Sequence, residues 1–330
     1  MRDVSKPVDF QITDEELHKA LREIDDELRA TGARLFGREL QGWMLFGRKF
    51  HLEMAMSDPL AVRIFDWFSK QYGDRLKGDL DFGKTVVEIR HDLYSLRLCR
   101  LYGTEIVHCD PLLLGQNLGP RLATSGIGVR TNLFDSLQGV TPEFIKSLTP
   151  DECNNLLQAH RRGFLALSRM SDVGGAPYGK EALDDLLQSA AQLTSQSPNC
   201  GLSRWGSLQA AEKVLKSFIA QNGTTPKKTH NLTNLVVAAA SVGLPPIDSS
   251  LIQSIQCDPE VRYSARSVGK AEALNAHYAA LSLCAEIAPL LKSQSGWISE
   301  ARWVSYSVNS KVRPMKALII KRGKVPSGIA

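Results

Sequence analysis

Two apolar periods alternate along the chain. From residue 13 to about 76 the period is helical: Leu17, Leu21, Ile24 and Leu28 recur at three- to four-residue spacing, behind Thr13 as an N-cap with Glu16 at the capping-box position. Asp58-Pro59 marks another start, Asp as cap and Pro at the first helical position, and leads into LAVRIFDWFSKQYGDRL. Between about 83 and 111 the pattern changes. KTVVEIR, LYSLRLCRLYG and TEIVHCDPL carry β-branched, aromatic and leucine residues with partial alternation, which predicts a small antiparallel sheet. Residues 112–140 are rich in Gly, Asn and Ser and read as a long loop or linker.

After Thr141-Pro142 helical spacing returns and lasts to about 292. PDECNNLLQAHRRGFLALSRM and KEALDDLLQSAAQLTSQ predict two helices. Next comes a helix capped by Ser207 with Leu208, Ala211, Leu215 and Phe218 on one face and Gly223 closing its end. Thr229 caps another, bearing Leu232, Leu235, Val236 and Ala239 and stopped by Gly243; Asp248 caps a short one after Pro245-Pro246. Ser267 opens the last, with Ala271, Leu274, Tyr278, Leu281 and Ala285 on its face. The expected fold is mainly α with a small antiparallel β-sheet. It comprises an N-terminal α+β domain over 1–140, an α-helical bundle over 141–296 and a basic C-terminal tail over 297–330.

Composition narrows the class. An apolar fraction of 43% fills ordinary cores, and 330 residues suit two domains. No apolar run reaches the ~18 residues of a membrane span, and the start lacks a secretory pattern. The six cysteines have no C-x-x-C spacing, which favours reduced, mostly buried thiols in a cytoplasmic protein. The net charge of +5 is unevenly spread: residues 301–330 contribute +7 and leave −2 for the rest. Arg302, Lys311, Arg313, Lys316, Lys321, Arg322 and Lys324 form that basic segment, suited to tracking a phosphate backbone or to a solvated end. WVSYSV and MKALII within it could instead form short strands or an arm packed on a neighbour.

Two local patterns suggest chemistry. Gly78 to Thr85 matches the phosphate-loop pattern letter for letter, but a strand-like VVEIR follows it where a phosphate loop opens a helix. The alternative is a polar turn entering a hairpin. Asp81, Glu88, Arg90, His91, Asp92, His108, Cys109 and Asp110 gather acids and histidines in the predicted sheet. The layout is close to a metal-dependent nuclease centre, except that Arg90 stands where a proton-shuttling lysine would be needed.

The most specific signal is the block from Arg204 to Glu286. AAEKVLK at 210–216, PKKTHNLTNL at 226–235 and Arg262-Tyr263 before the last long helix follow one another in an order that resembles the HEPN family. The resemblance implies a HEPN-like bundle, a role with RNA or a nucleotide, a homodimer, and a setting in bacterial defence or a toxin–antitoxin-like system. Many members are metal-independent ribonucleases with an arginine four to six residues ahead of a histidine. No histidine here has an arginine at that separation. Arg266 and His277 stand eleven positions apart, about 16 Å along a continuous helix, too far for one phosphate to touch both.

The expected function is therefore a non-catalytic, cytoplasmic RNA- or nucleotide-binding regulatory protein, with no cofactor and no membrane partner. Lys227, Lys228, Lys311, Arg313, Lys316, Lys321 and Arg322 are the expected contacts. One alternative is a metal-independent ribonuclease with a non-standard site drawn from His230, Arg262, Arg266 and His277. Another is a structural oligomerisation protein with the tail as its arm.

Overall fold

The computed structural model describes residues 10–33, 35, 38–55, 58–76, 81–99, 103–114, 129–263, 267–292, 297–306 and 315–324. The chain divides into two compact units, Met1–Leu80 and Asp81–Ala330. The first contains α1 (Asp14–Ala30), α2 (Arg38–Lys49) and α3 (Pro59–Tyr72). Thr13 and Glu16 form the expected capping box, which satisfies two backbone donors that the helix itself cannot. Leu17, Leu21 and Ile24 are buried against Phe46, Ile64 and Phe68, so the helical stripe read from the sequence is the core of this unit.

The second unit starts with a hairpin, β1 (Asp81–Ile89) and β2 (Asp92–Cys99), paired antiparallel. Arg90 and His91 make its two-residue turn, with φ of 53° and 70°, the left-handed pair that matches the twist of the flanking strands. The proposed acid–histidine centre in this stretch is therefore split, because Arg90 and His91 turn the chain instead of lying on a strand. Arg90 reaches α5 (Pro150–Asp172), where Nε donates to Glu152 Oε1 at 2.8 Å and Nη2 to Oε2 at 3.2 Å. Among the described residues, no group of three or more His, Cys, Asp or Glu is placed to hold a metal ion.

Helices α5, α6 (Gly179–Leu193), α7 (Cys200–Gln221) and α10 (Lys270–Ile287) form the bundle, with the short α4 (Pro142–Lys146), α8 (Leu232–Ala240) and α9 (Ser249–Ile255) around them. Helix α7 is buried on almost every side, as befits a central helix. It starts at Cys200 behind Asn199, so Ser207, expected as a cap, is an interior residue that donates to Ser203 O. Asp248 caps α9 as expected, whereas Asn231 and Gly269 take the positions assigned to Thr229 and Ser267.

Strand β1 lies under this bundle, with Val86 and Val87 buried in separate clusters. Gly163 makes the approach of α5 possible: a Cβ there would stand 2.7 Å from both Thr85 Cβ and Leu98 Cδ1. Gly163→Val should destabilise the second unit by about 1–3 kcal/mol, measured as a lowered urea midpoint; an unchanged midpoint would show the contact to be slack.

A second sheet has the order β4-β3-β6-β5, from β3 (Gly103–His108), β4 (Val129–Asn132), β5 (Trp297–Tyr306) and β6 (Met315–Lys324). Strands β3 and β4 run parallel, while β6 is antiparallel to both β3 and β5. Two expected boundaries consequently change. The strands read into a domain ending at 140 belong with the bundle, since the division falls between Leu80 and Asp81. The segment 297–330, expected as a tail, contributes two strands, because MKALII pairs with β3 and the stretch from Trp297 to Tyr306 pairs in turn with β6.

The phosphate-loop match is overturned by the same geometry. Gly83, Lys84 and Thr85 lie inside β1, which continues to Ile89 with no helix start for a phosphate to cap. Gly83 instead has φ +129° and sits so close to α6 that a Cβ would meet Leu187 Cδ2 at 2.2 Å. Residues 77–80 of that match lie outside the described residues.

Candidate functional site

One end of the bundle gathers charged and aromatic side chains from three places in the chain. Helix α7 supplies Trp205, Gln209 and Glu212, spaced to share a face. The loop into α8 supplies His230, and the 3-10 turn Pro259–Tyr263 supplies Arg262 and Tyr263. His230 Nδ1 lies 2.7 Å from Glu212 Oε2, and its ring meets Trp205 edge-on with centroids 5.3 Å apart. The Arg262 guanidinium lies 6.0 Å from the Trp205 ring centre and 5.6 Å from that of Tyr263. Tyr263 is 72% exposed, so this platform is open to solvent.

Beneath it the polar groups are paired. Glu212 is 5% exposed, and a carboxylate at that depth needs partners. It has them in Lys216 Nζ at 2.5 Å, His230, and Gln209 Nε2 at 3.3 Å. Gln256 secures the His230 loop: its Oε1 accepts from Leu232 N at 2.8 Å and its Nε2 donates to His230 O at 3.3 Å. Buried Arg204 donates to Gln256 O at 3.0 Å and pairs with Glu272 at 3.4 Å. Close packing brings Arg262 here, since a Cβ on Gly201 would stand 2.3 Å from Val261 O.

His230 turns Nδ1 to Glu212, which leaves Nε2 as the second ring nitrogen of a side chain that is 53% exposed. The arrangement can stack a base on an aromatic or guanidinium plane, bind phosphate, or move a proton at that nitrogen.

The candidate residues read from the sequence are only partly brought together. His230 and Arg262 meet across Trp205. Lys227 and Lys228 are exposed in the same loop as His230. His277 does not join them. It is 1% exposed on α10, with Nδ1 3.0 Å from Ser189 Oγ, which in turn contacts Ser203 and Ser207. Burial, with a smaller contribution from Arg162, pulls its pKa down to about 3, so it is a neutral core histidine. Arg266, Lys311 and Arg313 lie outside the described residues, while Lys316, Lys321 and Arg322 stand on β6. Trp205, Gln209, Glu212 and Gln256 are the residues that sequence reasoning missed. Within AAEKVLK the glutamate was visible, but its burial was not.

Comparison with known proteins adds one finding. Residues 181–283, from α6 to within α10, match the family model described as the HEPN domain. No curated protein and no solved structure matches the chain. Among the described residues, no helix is long and apolar enough to cross a membrane.

Proposed function

We propose, starting from the HEPN domain at residues 181–283, that this protein is an RNA- or nucleotide-binding regulatory module acting in the cytoplasm. The observation that carries this reading is the Arg262 guanidinium set against two aromatic rings beside His230. Aromatic and guanidinium planes stack on unpaired bases without demanding a sequence, and Lys227 and Lys228 stand nearby to meet phosphates. Lys316, Lys321 and Arg322 on β6 supply further basic positions. A homodimer and a defence or toxin–antitoxin-like setting rest on the family alone.

A second reading is favoured by the Glu212–His230 pair. A buried carboxylate that orients an imidazole is the arrangement a general base requires. On this reading the protein is a metal-independent ribonuclease, with His230 taking a proton and Arg262 stabilising the phosphate.

One assay separates the two: single-stranded RNA binding and cleavage by the full chain, without added metal, across a salt series. Salt-sensitive binding without cleavage is the expected result. Trp205→Ala and Arg262→Ala should each weaken it by about tenfold, the loss of roughly one stacking contact. Cleavage that disappears in His230→Ala would establish the ribonuclease. Neither binding nor cleavage would leave the oligomerisation role.

A further inference from the structure

A cavity of about 770 Å³ lies within the first unit, between the second half of α2 and residues 51–55 that follow it. Its volume is in the range of small-ligand sites. We propose that it binds an aromatic carboxylate, a flat ring system bearing one anionic group. The inference concerns the first unit alone and does not rest on the function assigned to the platform.

The polar side chains of the wall are mostly donors in need of an acceptor. Trp43 belongs to the wall, and its indole N–H is buried with no hydrogen-bond partner among the described residues. A buried donor left in that state is costly, and an indole can only donate. Phe65 stacks on the Trp43 ring with centroids 6.3 Å apart, which limits how far the indole can turn to find an acceptor. Arg48 also lines the cavity. Its neighbour Lys49 pairs with Glu23 at 2.7 Å, whereas Arg48 makes no ion pair among the described residues, Glu53 in the same wall included.

His51 adds a third donor in an unusual setting. Leu52 N donates to Gly47 O at 2.8 Å and His51 N to Arg48 O at 3.3 Å, closing α2 in the manner that ordinarily places glycine after the helix. Here histidine holds that place, with φ of 53°. Its side chain is exposed and makes no hydrogen bond among the described residues, so no packing offsets the cost of a left-handed backbone. The imidazole is left free at the wall of the cavity.

The apolar part of the wall selects the rest of the ligand. Met44 is 45% exposed, and Leu52 and Met54 line the same space. Thioethers adapt their shape and make favourable contacts with aromatic rings. A carboxylate, which only accepts, suits the indole N–H, the guanidinium and the imidazole together. Glu53 repels further negative charge, so one anionic group is favoured over several.

Calorimetric titration of the full chain with 2-naphthoate, 2-naphthylmethanol and acetate tests the proposal. 2-Naphthoate should bind at one site per chain. The alcohol keeps the rings without the carboxylate and acetate keeps the carboxylate without the rings, so each should bind at least ~10-fold more weakly. Trp43→Phe removes the buried donor and Arg48→Gln the exposed charge; each should weaken 2-naphthoate binding by ~10-fold. His51→Gly should also weaken it, while melting at or above the temperature of the parent because glycine suits the left-handed backbone. Thermal unfolding verifies that all three variants are folded. The proposal is overturned if 2-naphthoate fails to bind, if the alcohol binds as tightly, or if the folded variants all bind 2-naphthoate as the parent does.

Discussion

Lowering the pH from 7 towards 3 should destabilise the second unit by several kcal/mol, mostly through two buried histidines. Burial pulls the pKa of His160 down to about 4, and burial with Arg162 pulls that of His277 down to about 3. In the unfolded chain both imidazoles would titrate near 6.5. Between these values the unfolded state takes up protons that the folded state refuses, so stability is full above about pH 6.5 and falls as pH drops. The His160 share levels off below about 4 and the His277 share below about 3. At roughly 1.4 kcal/mol per tenfold change in proton affinity, each histidine is worth about 3 kcal/mol or more.

Glu152 acts in the same direction at lower pH. Arg90, then Thr149, hold its carboxyl down at about 2, so the stability that the Arg90 link between hairpin and α5 contributes is lost progressively as pH falls from about 4.5 to about 2. Urea midpoints measured at half-unit steps would trace the slope. His277→Gln should be less stable at pH 7 and show a shallower loss on acidification. Equal midpoints at pH 7 and 4.5 would refute the account.

The second large effect belongs to Gly201. A methyl group there would come within 2.3 Å of Val261 O, a backbone atom that cannot rotate away. Val261 is fully buried, so the turn Pro259–Tyr263 has to move as a piece, taking Arg262 from Trp205. Gly201→Ala should therefore cost about 1–3 kcal/mol and also weaken RNA binding as strongly as Arg262→Ala. Gly174→Ala is the matched control, because its added methyl would make only ordinary contact, 3.6 Å from Ser171 O. Melting temperature and RNA affinity measured on both variants decide the matter. Gly201→Ala behaving like Gly174→Ala in both would show that the turn is not held by this contact.

The helices were legible because their causes are local. The Thr13–Glu16 box, the Leu17 to Leu28 stripe and the Asp248 cap each operate within a turn or two. The order of motifs from 210 to 263 likewise pointed to the HEPN bundle, whose match runs from 181 to 283. The site was harder to read because its contacts span long separations. Glu212 and His230 are 18 residues apart and Arg204 and Gln256 are 52 apart, so only the packed bundle reveals that they meet. His277 misled for the related reason that a histidine on a helix has no sequence mark of burial. Strand pairing was the least legible, since β3 looked like a third strand of the hairpin until β6 was seen beside it.

That pairing bears on the order in which the molecule can be assembled. Gly103 opposes Arg322, a partner that leaves the ribosome more than two hundred residues later. Until then β3 presents open backbone donors and acceptors, with Val107 among the residues awaiting cover. Local helices and the β1–β2 hairpin need no such wait. The sheet is thus the last part of the second unit to close, and the nascent chain carries an unprotected strand through most of its synthesis.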